Sequence, residues 1–97
     1  KDIESEENAR KAISLAPKKA FGYLALSHAL YMQEKYMESI KAAETGLTLV
    51  EDDVSLLVSS KGAAERGLYY SIANNYRQLG DSSSQAEYEE KARNINN

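Results

Sequence analysis

Residues 20–51 read AFGYLALSHALYMQEKYMESIKAAETGLTLVE and carry two apolar stripes separated by a polar turn at 33–35. The stripes consist of Tyr23, Leu26 and Leu30 before the turn and of Tyr36, Ile40, Ala43 and Leu47 after it. Apolar residues at steps of three and four mark one buried face of a helix. The pattern therefore predicts two helices joined by a short turn, which is an antiparallel hairpin.

The composition suits one small helical domain. The chain has 97 residues with no cysteine, which excludes disulfides and cysteine-ligated zinc. Its net charge of −3 argues against nonspecific binding to nucleic acid or anionic membranes. No apolar run approaches the ~20 residues that span a bilayer, so we expect a soluble protein and slightly favour the cytoplasm. Because the sequence begins at Lys1 and not at methionine, we expect a fragment or a processed product.

Three further helices are predicted outside the hairpin. The first covers residues 2–16 and is ended by Pro17, because proline lacks a backbone donor. A second covers 66–79 and ends at Gly80, and the last runs from about Ser83 to Ile95 after a cap at Asp81 or Ser82. The predicted buried faces comprise Ile3, Ala9, Ala12, Ile13 and Ala16 in the first, Tyr69, Ile72, Ala73 and Tyr76 in the second, and Ala86, Tyr88 or Glu89, Ala92 and Ile95 in the last.

Residues 54–65, VSLLVSSKGAAE, allow two interpretations. Apolar residues at 54, 57 and 58 keep a helical period, whereas the serines and Gly62 weaken it, because a glycine inside a helix costs about 1 kcal/mol. The segment either breaks near 59–62 or belongs to one long helix from Val54 to Leu79, which we favour. Its apolar side chains either pack within the domain, which we prefer, or dock a second copy of the chain.

The acidic run Glu51-Asp52-Asp53 is expected to end the hairpin and to cap the helix that follows. A carboxylate at the N-cap accepts a hydrogen bond from the first backbone N–H groups of a helix. The run lacks the spaced oxygen ligands and the central glycine of a calcium loop. We therefore predict that Asp52 or Asp53 is a cap and not a cation ligand.

The ends of three helices repeat along the chain. ARKAISLAP at 9–17 aligns with AETGLTLVE at 43–51 and with EEKARNINN at 89–97. The first step is 34 residues and the second is 46, and the twelve additional residues are those of 54–65. Two helix starts align as well, with Tyr23, Leu26, Ser27 and Leu30 opposite Tyr69, Ile72, Ala73 and Tyr76.

This pattern resembles the tetratricopeptide repeat family in its 34-residue period and in its turn at Gly80-Asp81. It also shares the family's pairs of a large apolar residue followed by a small one, here Leu26-Ser27 and Ile72-Ala73. The resemblance covers nearly the whole chain, although Ser39 and Gln85 stand where the family usually has alanine. It implies an all-α, solenoid-like stack of antiparallel helix-hairpin repeats with about five helices. The single domain 1–97 then consists of the second helix of a partial repeat at 2–16, a complete repeat at 20–51, an extended or inserted helical segment at 54–65 and a further repeat at 66–97.

The resemblance also implies a noncatalytic role in binding another protein. In this family the first helix of each pair lines a concave surface that holds an extended or helical segment of a partner. The positions carried over to this surface are Phe21, Leu24, His28, Tyr31, Met32, Tyr70, Asn74 and Arg77, accompanied by Ala25, Ser71 and Gln78. Alternatively, Phe21, Leu24 and Tyr31 pack against the segment 54–65 or the first helix. The alternative function is a structural or self-associating segment of a larger solenoid, with 54–65 as the surface of a homodimer.

Residue patterns for catalysis, metal binding or cofactor binding are not visible in the sequence. His28 is the only histidine, and we expect a structural or contact role for it. Neither a Ser/His/Asp constellation nor a phosphate-binding glycine loop is present. We therefore predict no enzyme activity and no cofactor. Family members that clamp a terminal carboxylate use Lys, Asn and Arg on the concave helices, and only Asn74 fits that set here, so we do not predict such a clamp.

Overall fold

The computed structural model describes residues 2–54 and 56–95. Within these residues the chain forms five α-helices and no β-strand, which confirms the predicted all-α class. The helices are α1 (Asp2–Leu15), α2 (Ala20–Met32), α3 (Tyr36–Val50), α4 (Val58–Gln78) and α5 (Ser82–Arg93). None of them is both long enough and apolar enough to cross a membrane.

Successive helices are antiparallel and form two layers. α2 lies against α1 and α3, α4 lies against α3 and α5, and α2 also contacts α4. Leu24 lies near Gly67 and Ser27 near Ser71, so α2 and α4 run parallel, side by side. They form one layer, with α1, α3 and α5 in the other, and the molecule measures 35 × 33 × 17 Å. This smallest dimension fits two layers of helices, each about 10 Å across.

The core between the layers is built mainly from the predicted stripes. Of its largest fully buried apolar side chains, Leu30 and Ile72 belong to these stripes, whereas Val50 and Leu68 were not predicted. Gly46 permits the close packing of α3, because a Cβ at this position would lie 3.0 Å from Leu68 and 3.2 Å from Tyr23. Where α4 meets α5, the rings of Tyr76 and Tyr88 stack with their centroids 5.8 Å apart. Small residues therefore lie opposite large ones where helices touch, as Gly46 does opposite Leu68 and Tyr23.

The connection between α3 and α4 differs from the prediction. α4 begins at Val58 and not at Val54, and it continues without a break through Gly62. The favoured prediction of one long helix is therefore confirmed for the part after Val58, but its start at Val54 is wrong. The interpretation with a break near 59–62 is also wrong. Leu56 packs against the core, but Val54 and Leu57 are 99% and 73% exposed. Ser55 and the side chain of Val58 lie outside the described residues.

Asp53 caps a helix, but not the helix that follows it. Its Oδ2 accepts a hydrogen bond of 2.7 Å from the backbone N–H of Ala20, the first residue of α2. Asp53 is only 3% exposed, and neither N-cap residue, Lys19 of α2 or Leu57 of α4, makes a side-chain cap bond. The predicted cap of α4 is therefore wrong. The carboxylate instead satisfies a buried donor and complements the positive end of the α2 dipole.

The outer helices agree with the predicted bounds to within two residues. Asp81 caps α5 as predicted, since its Oδ1 accepts a hydrogen bond of 3.0 Å from the backbone N–H of Ser84. Gly80 adopts the left-handed backbone conformation that the turn needs, with φ of 80°. For three residues the predicted burial is wrong, because α1 and α5 are each covered on one side only. Ile3, Ala12 and Ala86 were assigned to buried faces but are exposed.

A charged cluster fastens α1 to the turn between α2 and α3. Glu6 accepts hydrogen bonds of 2.8 Å from Nε2 of Gln33 and from Nε of Arg10. The ammonium group of Lys35 lies 3.6 Å from Glu6 Oε1. The hydrogen bond from Gln33, followed by that from Arg10, holds the pKa of Glu6 below its usual value. Glu6 therefore stabilises the folded chain through its ionised form.

Replacing Asp53 with alanine removes the acceptor of the buried Ala20 N–H, so we expect the free energy of unfolding to fall by about 1–3 kcal/mol. Asp52→Ala is the matched control, because Asp52 is the exposed neighbour, and its effect should stay within about 0.5 kcal/mol. Urea unfolding followed by circular dichroism measures both variants. Equal losses in the two would contradict a capping role for Asp53.

Acidification tests the Glu6 cluster. Since the pKa of Glu6 is lower in the folded state, its stabilisation is fully present above the usual value of 4.5 and is lost as the pH falls through the lowered folded value. We expect the thermal midpoint of Glu6→Gln to fall less steeply than that of the wild type between about pH 5 and about pH 3. Glu7→Gln, at an exposed neighbouring position, is the control and should keep the wild-type slope. A wild-type slope in Glu6→Gln would show that the cluster contributes nothing.

Candidate functional site

An open groove lies between α2 and α4, and we call it the α2–α4 groove. Its polar half, of about 240 Å³, is lined by Leu24, His28, Tyr31, Gly67, Tyr70, Ser71 and Asn74. Its apolar half, of about 260 Å³, is lined by Ala20, Phe21, Leu24, Leu56, Ser60, Ala63, Ala64 and Leu68. Leu24 lines both halves, so the two adjoin at this residue along the pair of helices.

Small residues on α4 bring the two helices together beneath this groove. A Cβ added to Gly67 would lie 3.7 Å from the side chain of Leu24, an ordinary van der Waals contact. One turn further, the hydroxyl oxygen of Ser71 lies 2.6 Å from that of Ser27. The larger Tyr31 on α2 and Tyr70 on α4 line the polar half from opposite helices. Small residues at the helix contact and aromatic residues beside it therefore give the groove its depth.

The structure brings six of the eight predicted contact residues to the α2–α4 groove. Leu24, His28, Tyr31, Tyr70 and Asn74 line the polar half, and Phe21 lines the apolar half. Met32 and Arg77 do not line it; they are exposed near the C-terminal ends of α2 and α4. Phe21 lines the apolar half together with Leu56, but it is 72% exposed, so most of this side chain is open to solvent.

Tyr31 is held by contacts on both sides. Its ring packs edge to face on Tyr36 with centroids 5.7 Å apart, and burial raises the pKa of that Tyr36 phenol. The Tyr31 hydroxyl accepts a hydrogen bond of 3.3 Å from Nε2 of Gln78 on α4. Tyr31 is therefore held by contacts with α3 and α4.

Sequence reasoning missed the residues that α4 adds to the apolar half. These are Ser60, Ala63, Ala64 and Leu68, together with Gly67 in the polar half. The sequence contained a signal for them, since Tyr70 and Asn74 continue backwards at helical spacing through Gly67, Ala63 and Ser60. Treating 54–65 as an insertion apart from the surface concealed this continuous face of α4.

A buried hydrogen-bond network supports the polar half and joins three helices. Ser27 Oγ donates to the Ser39 carbonyl over 2.9 Å, and Ser39 Oγ donates to the Ser27 carbonyl over 2.6 Å. Since each hydroxyl has one hydrogen to donate, Ser71 is the donor in its contact with Ser27 Oγ. Asn75 Nδ2 donates to Ser39 Oγ over 2.9 Å and to the Ser71 carbonyl over 2.8 Å. Every hydroxyl and amide hydrogen of these four side chains has an acceptor.

Ser39 and Asn75 are the two residues of the network whose burial affects stability most directly. Ser39, which departs from the alanine that the resemblance expects, is the residue where α2, α3 and α4 meet. Oδ1 of Asn75 is buried and has no hydrogen-bond donor within the described part of the chain. Burial of such an acceptor is unfavourable, so Asn75 contributes through its two donated bonds. Changing Ser39 to alanine leaves one amide hydrogen of Asn75 without its acceptor, whereas changing Asn75 to alanine removes the two hydrogen bonds that its amide donates.

The lining of the α2–α4 groove offers an imidazole, phenols, a hydroxyl and an amide beside apolar surface. Among the described residues there is no group of three His, Cys, Asp or Glu side chains that could hold a metal ion. Comparison with protein-family models, with curated proteins and with solved structures gives no significant match. The tetratricopeptide resemblance therefore stays a prediction based on the residues quoted for it.

A double-mutant cycle tests the network. Ser39→Ala and Asn75→Ala should each lower the free energy of unfolding by about 1–3 kcal/mol. Because they share one hydrogen bond, the double variant should lose less than the sum, with a coupling of about 0.5–3 kcal/mol. A second cycle with Asn75→Ala and the exposed Thr48→Ala is the control and should be additive. Additivity in the Ser39 cycle, measured by urea unfolding, would contradict the shared bond.

Proposed function

We propose that this chain is a noncatalytic interaction module of the tetratricopeptide type, and that the α2–α4 groove binds a peptide segment of a partner protein. The observation that supports this most is the groove itself, an open site with aromatic and hydrogen-bonding side chains on two adjacent helices. Interfaces are enriched in aromatic residues, and their strongest contacts fill well-packed apolar sites. No substrate or cofactor is part of the proposal.

The apolar half is suited to hold one apolar side chain of the peptide. Phe21 stands largely exposed at one side, and Leu24, Ala63 and Ala64 provide further apolar lining. Burying a side chain of the size of leucine or phenylalanine contributes about 1.5–3 kcal/mol relative to exposure. Binding also removes part of the Phe21 ring from water. Burial of apolar surface on both the peptide and the groove therefore contributes to the binding free energy.

The polar half is suited to the backbone of the peptide. A bound backbone needs partners for its N–H and C=O groups, and His28, Tyr31, Tyr70 and Asn74 offer donors and acceptors along two helices. Ser71 ties the floor of this half to the buried network. Side chains held by packing and hydrogen bonds lose little freedom on binding, which favours affinity.

The repeat architecture belongs to the same proposal. α2 and α4 are parallel neighbours, and each is followed by an antiparallel helix, α3 or α5. This arrangement supports a complete repeat at 20–51 and a further repeat at 66–97, with α1 as the second helix of a partial repeat. α4 starts eight residues before position 66, and this extension provides the apolar half that a plain repeat would lack.

Selection of peptides from a random displayed library on the immobilised chain, followed by calorimetry, tests the groove. We expect Tyr70→Ala and Asn74→Ala to weaken the selected peptides by about tenfold, because each removes a contact in the polar half. Met37→Ala is the control: Met37 is an exposed apolar residue on α3, and its effect should stay within about twofold. Failure to select any peptide, or equal losses in the groove and control variants, would contradict the proposal.

Self-association is the second candidate function, and the exposed Val54 and Leu57 favour it. Exposed apolar side chains that lie close together mark contact surfaces. This candidate predicts that light scattering shows a mass rising with concentration, and that Val54→Ser combined with Leu57→Ser abolishes the rise. Leu79→Ser, at an exposed position after α4, is the control and should leave it unchanged. A single-chain mass at every concentration would rule this candidate out.

A further inference from the structure

Two connections between helices meet at one end of the stack. Residues 16–19 join α1 to α2, and residues 51–57 join α3 to α4. Because successive helices are antiparallel, both connections lie at the same end, and the buried hydrogen bond from the Ala20 N–H to Asp53 fastens one to the other. Together they line a hollow of about 400 Å³, and we call this surface the two-turn face. Its lining includes Ala16, Pro17, Lys18, Lys19, Asp52 and Val54.

The two connections carry charges of opposite sign. Lys18 and Lys19 in the first are exposed, and so are Glu51 and Asp52 in the second. The ion pairs within the described part of the chain leave out both lysines and Asp52, and Glu51 has only a contact of 3.9 Å with Lys61. The two-turn face therefore has a basic half and an acidic half, and both are open to charges from outside the molecule.

Apolar surface accompanies both signs of charge. Val54 follows the acidic residues directly and is almost completely exposed. Ala16 and Pro17 line the same hollow from the basic connection. A single exposed valine is ordinary on a protein surface. Val54 is informative because it stands beside a hollow that is partly apolar and is flanked by charges of both signs.

A surface with a basic half and an acidic half is complementary to a second copy of itself. In a two-fold dimer the same surface of both copies meets, so that each half of one copy can face the other half of its partner. The axis that achieves this lies in the plane of contact and runs between the two connections. The lysines of one copy then face the carboxylates of the other, and the contact occurs twice. The same rotation brings each Val54 towards Pro17 of the second copy.

We propose that the chain forms a two-fold symmetric dimer through the two-turn face, with the basic half of each copy paired to the acidic half of the other. The proposal rests on self-association, the second candidate function, and assigns the interface and its symmetry. A second copy is the occupant because it presents the required arrangement of both charges, which favours one orientation and suppresses others. The two-turn face shares no lining residue with the α2–α4 groove.

The dimer is expected to be weak and sensitive to salt. Contacts that bury less than about 1,200 Å² in total are typical of transient complexes, and the two-turn face consists of two short connections. Ionic contacts between exposed groups are screened as salt is added. We therefore expect a dissociation constant of about 100 μM at low ionic strength, rising at least about threefold between about 0.05 M and about 0.5 M sodium chloride.

Exchange of the charges tests the pairing. The basic-half variant carries Lys18→Glu with Lys19→Glu, and the acidic-half variant carries Glu51→Lys with Asp52→Lys. Each variant alone places like charges opposite each other, so its association should be at least about tenfold weaker than that of the wild type. An equimolar mixture places opposite charges together again at both contacts and should associate about as strongly as the wild type. Light scattering up to about 1 mM, which is about tenfold above the expected dissociation constant, measures the mass.

A matched control lies at the opposite end of the stack. Glu34→Lys with Glu38→Lys changes exposed residues at the turn between α2 and α3, and it changes the net charge by the same amount as the acidic-half variant. The control should keep the wild-type dissociation constant to within about twofold. Mixed with the basic-half variant, it should associate no more than it does alone. Circular dichroism checks that each variant is folded, and recovery in the mixture shows independently that charge, and not unfolding, caused the loss.

The outcomes separate the pairing from self-association as such. A single-chain mass of the wild type at every concentration would overturn both the dimer and the second candidate function. A mass that rises equally in the wild type and in both charge-exchanged variants would overturn the pairing while self-association stands. Failure of the mixture to recover association, or a dissociation constant that does not change with salt, would overturn the pairing in the same way.

Discussion

Ser27 and Ser39 each donate a hydrogen bond to the other's backbone carbonyl, and the positions of three helices depend on this pair. Reciprocal bonds of this kind hold α2 and α3 in one register, because a shift by one residue would bury two hydroxyl groups without acceptors. Asn75 and Ser71 extend the same requirement to α4. Packing of apolar side chains tolerates small displacements, whereas buried polar groups with one acceptable arrangement do not. The walls of the α2–α4 groove therefore inherit their positions from four buried or half-buried polar side chains.

The connection between α3 and α4 contributes to both the core and the candidate site. Residues 51–54 are not helical, and in this stretch Asp53 accepts the hydrogen bond from the start of α2. α4 then begins at Val58 and runs for about two turns before position 66. These turns add Ser60, Ala63 and Ala64 to the α2–α4 groove. The residues that follow α3 thus supply both the cap of α2 and part of the lining of the candidate site.

The sequence predicted the five helices, the helical hairpin of α2 and α3, the cap at Asp81 and the shared location of most candidate residues. These features depend on local spacing, on turn chemistry and on one repeated pattern, all of which are read along the chain. The partner of Asp53 could not be predicted, because an aspartate before a helix is a cap by its local pattern, and only the tertiary fold offers it Ala20 instead. The exposure of Ile3 and Ala12 was not predicted for a related reason. Periodicity shows which face of a helix is apolar, but it does not show whether another helix covers that face.

The hydrogen bond between Asp53 and Ala20 joins residues that are 33 positions apart, and the whole of α2 and α3 lies between them. Closing a loop of this length costs conformational entropy, which must be offset by the contacts formed inside it. The bond can persist only while the hairpin of α2 and α3 and the connection after it are all in place. We therefore expect exchange of the Ala20 amide hydrogen with solvent deuterium to be controlled by opening of this entire unit and not by fraying of one helix end. A single backbone amide thus reports how often the central third of the molecule opens.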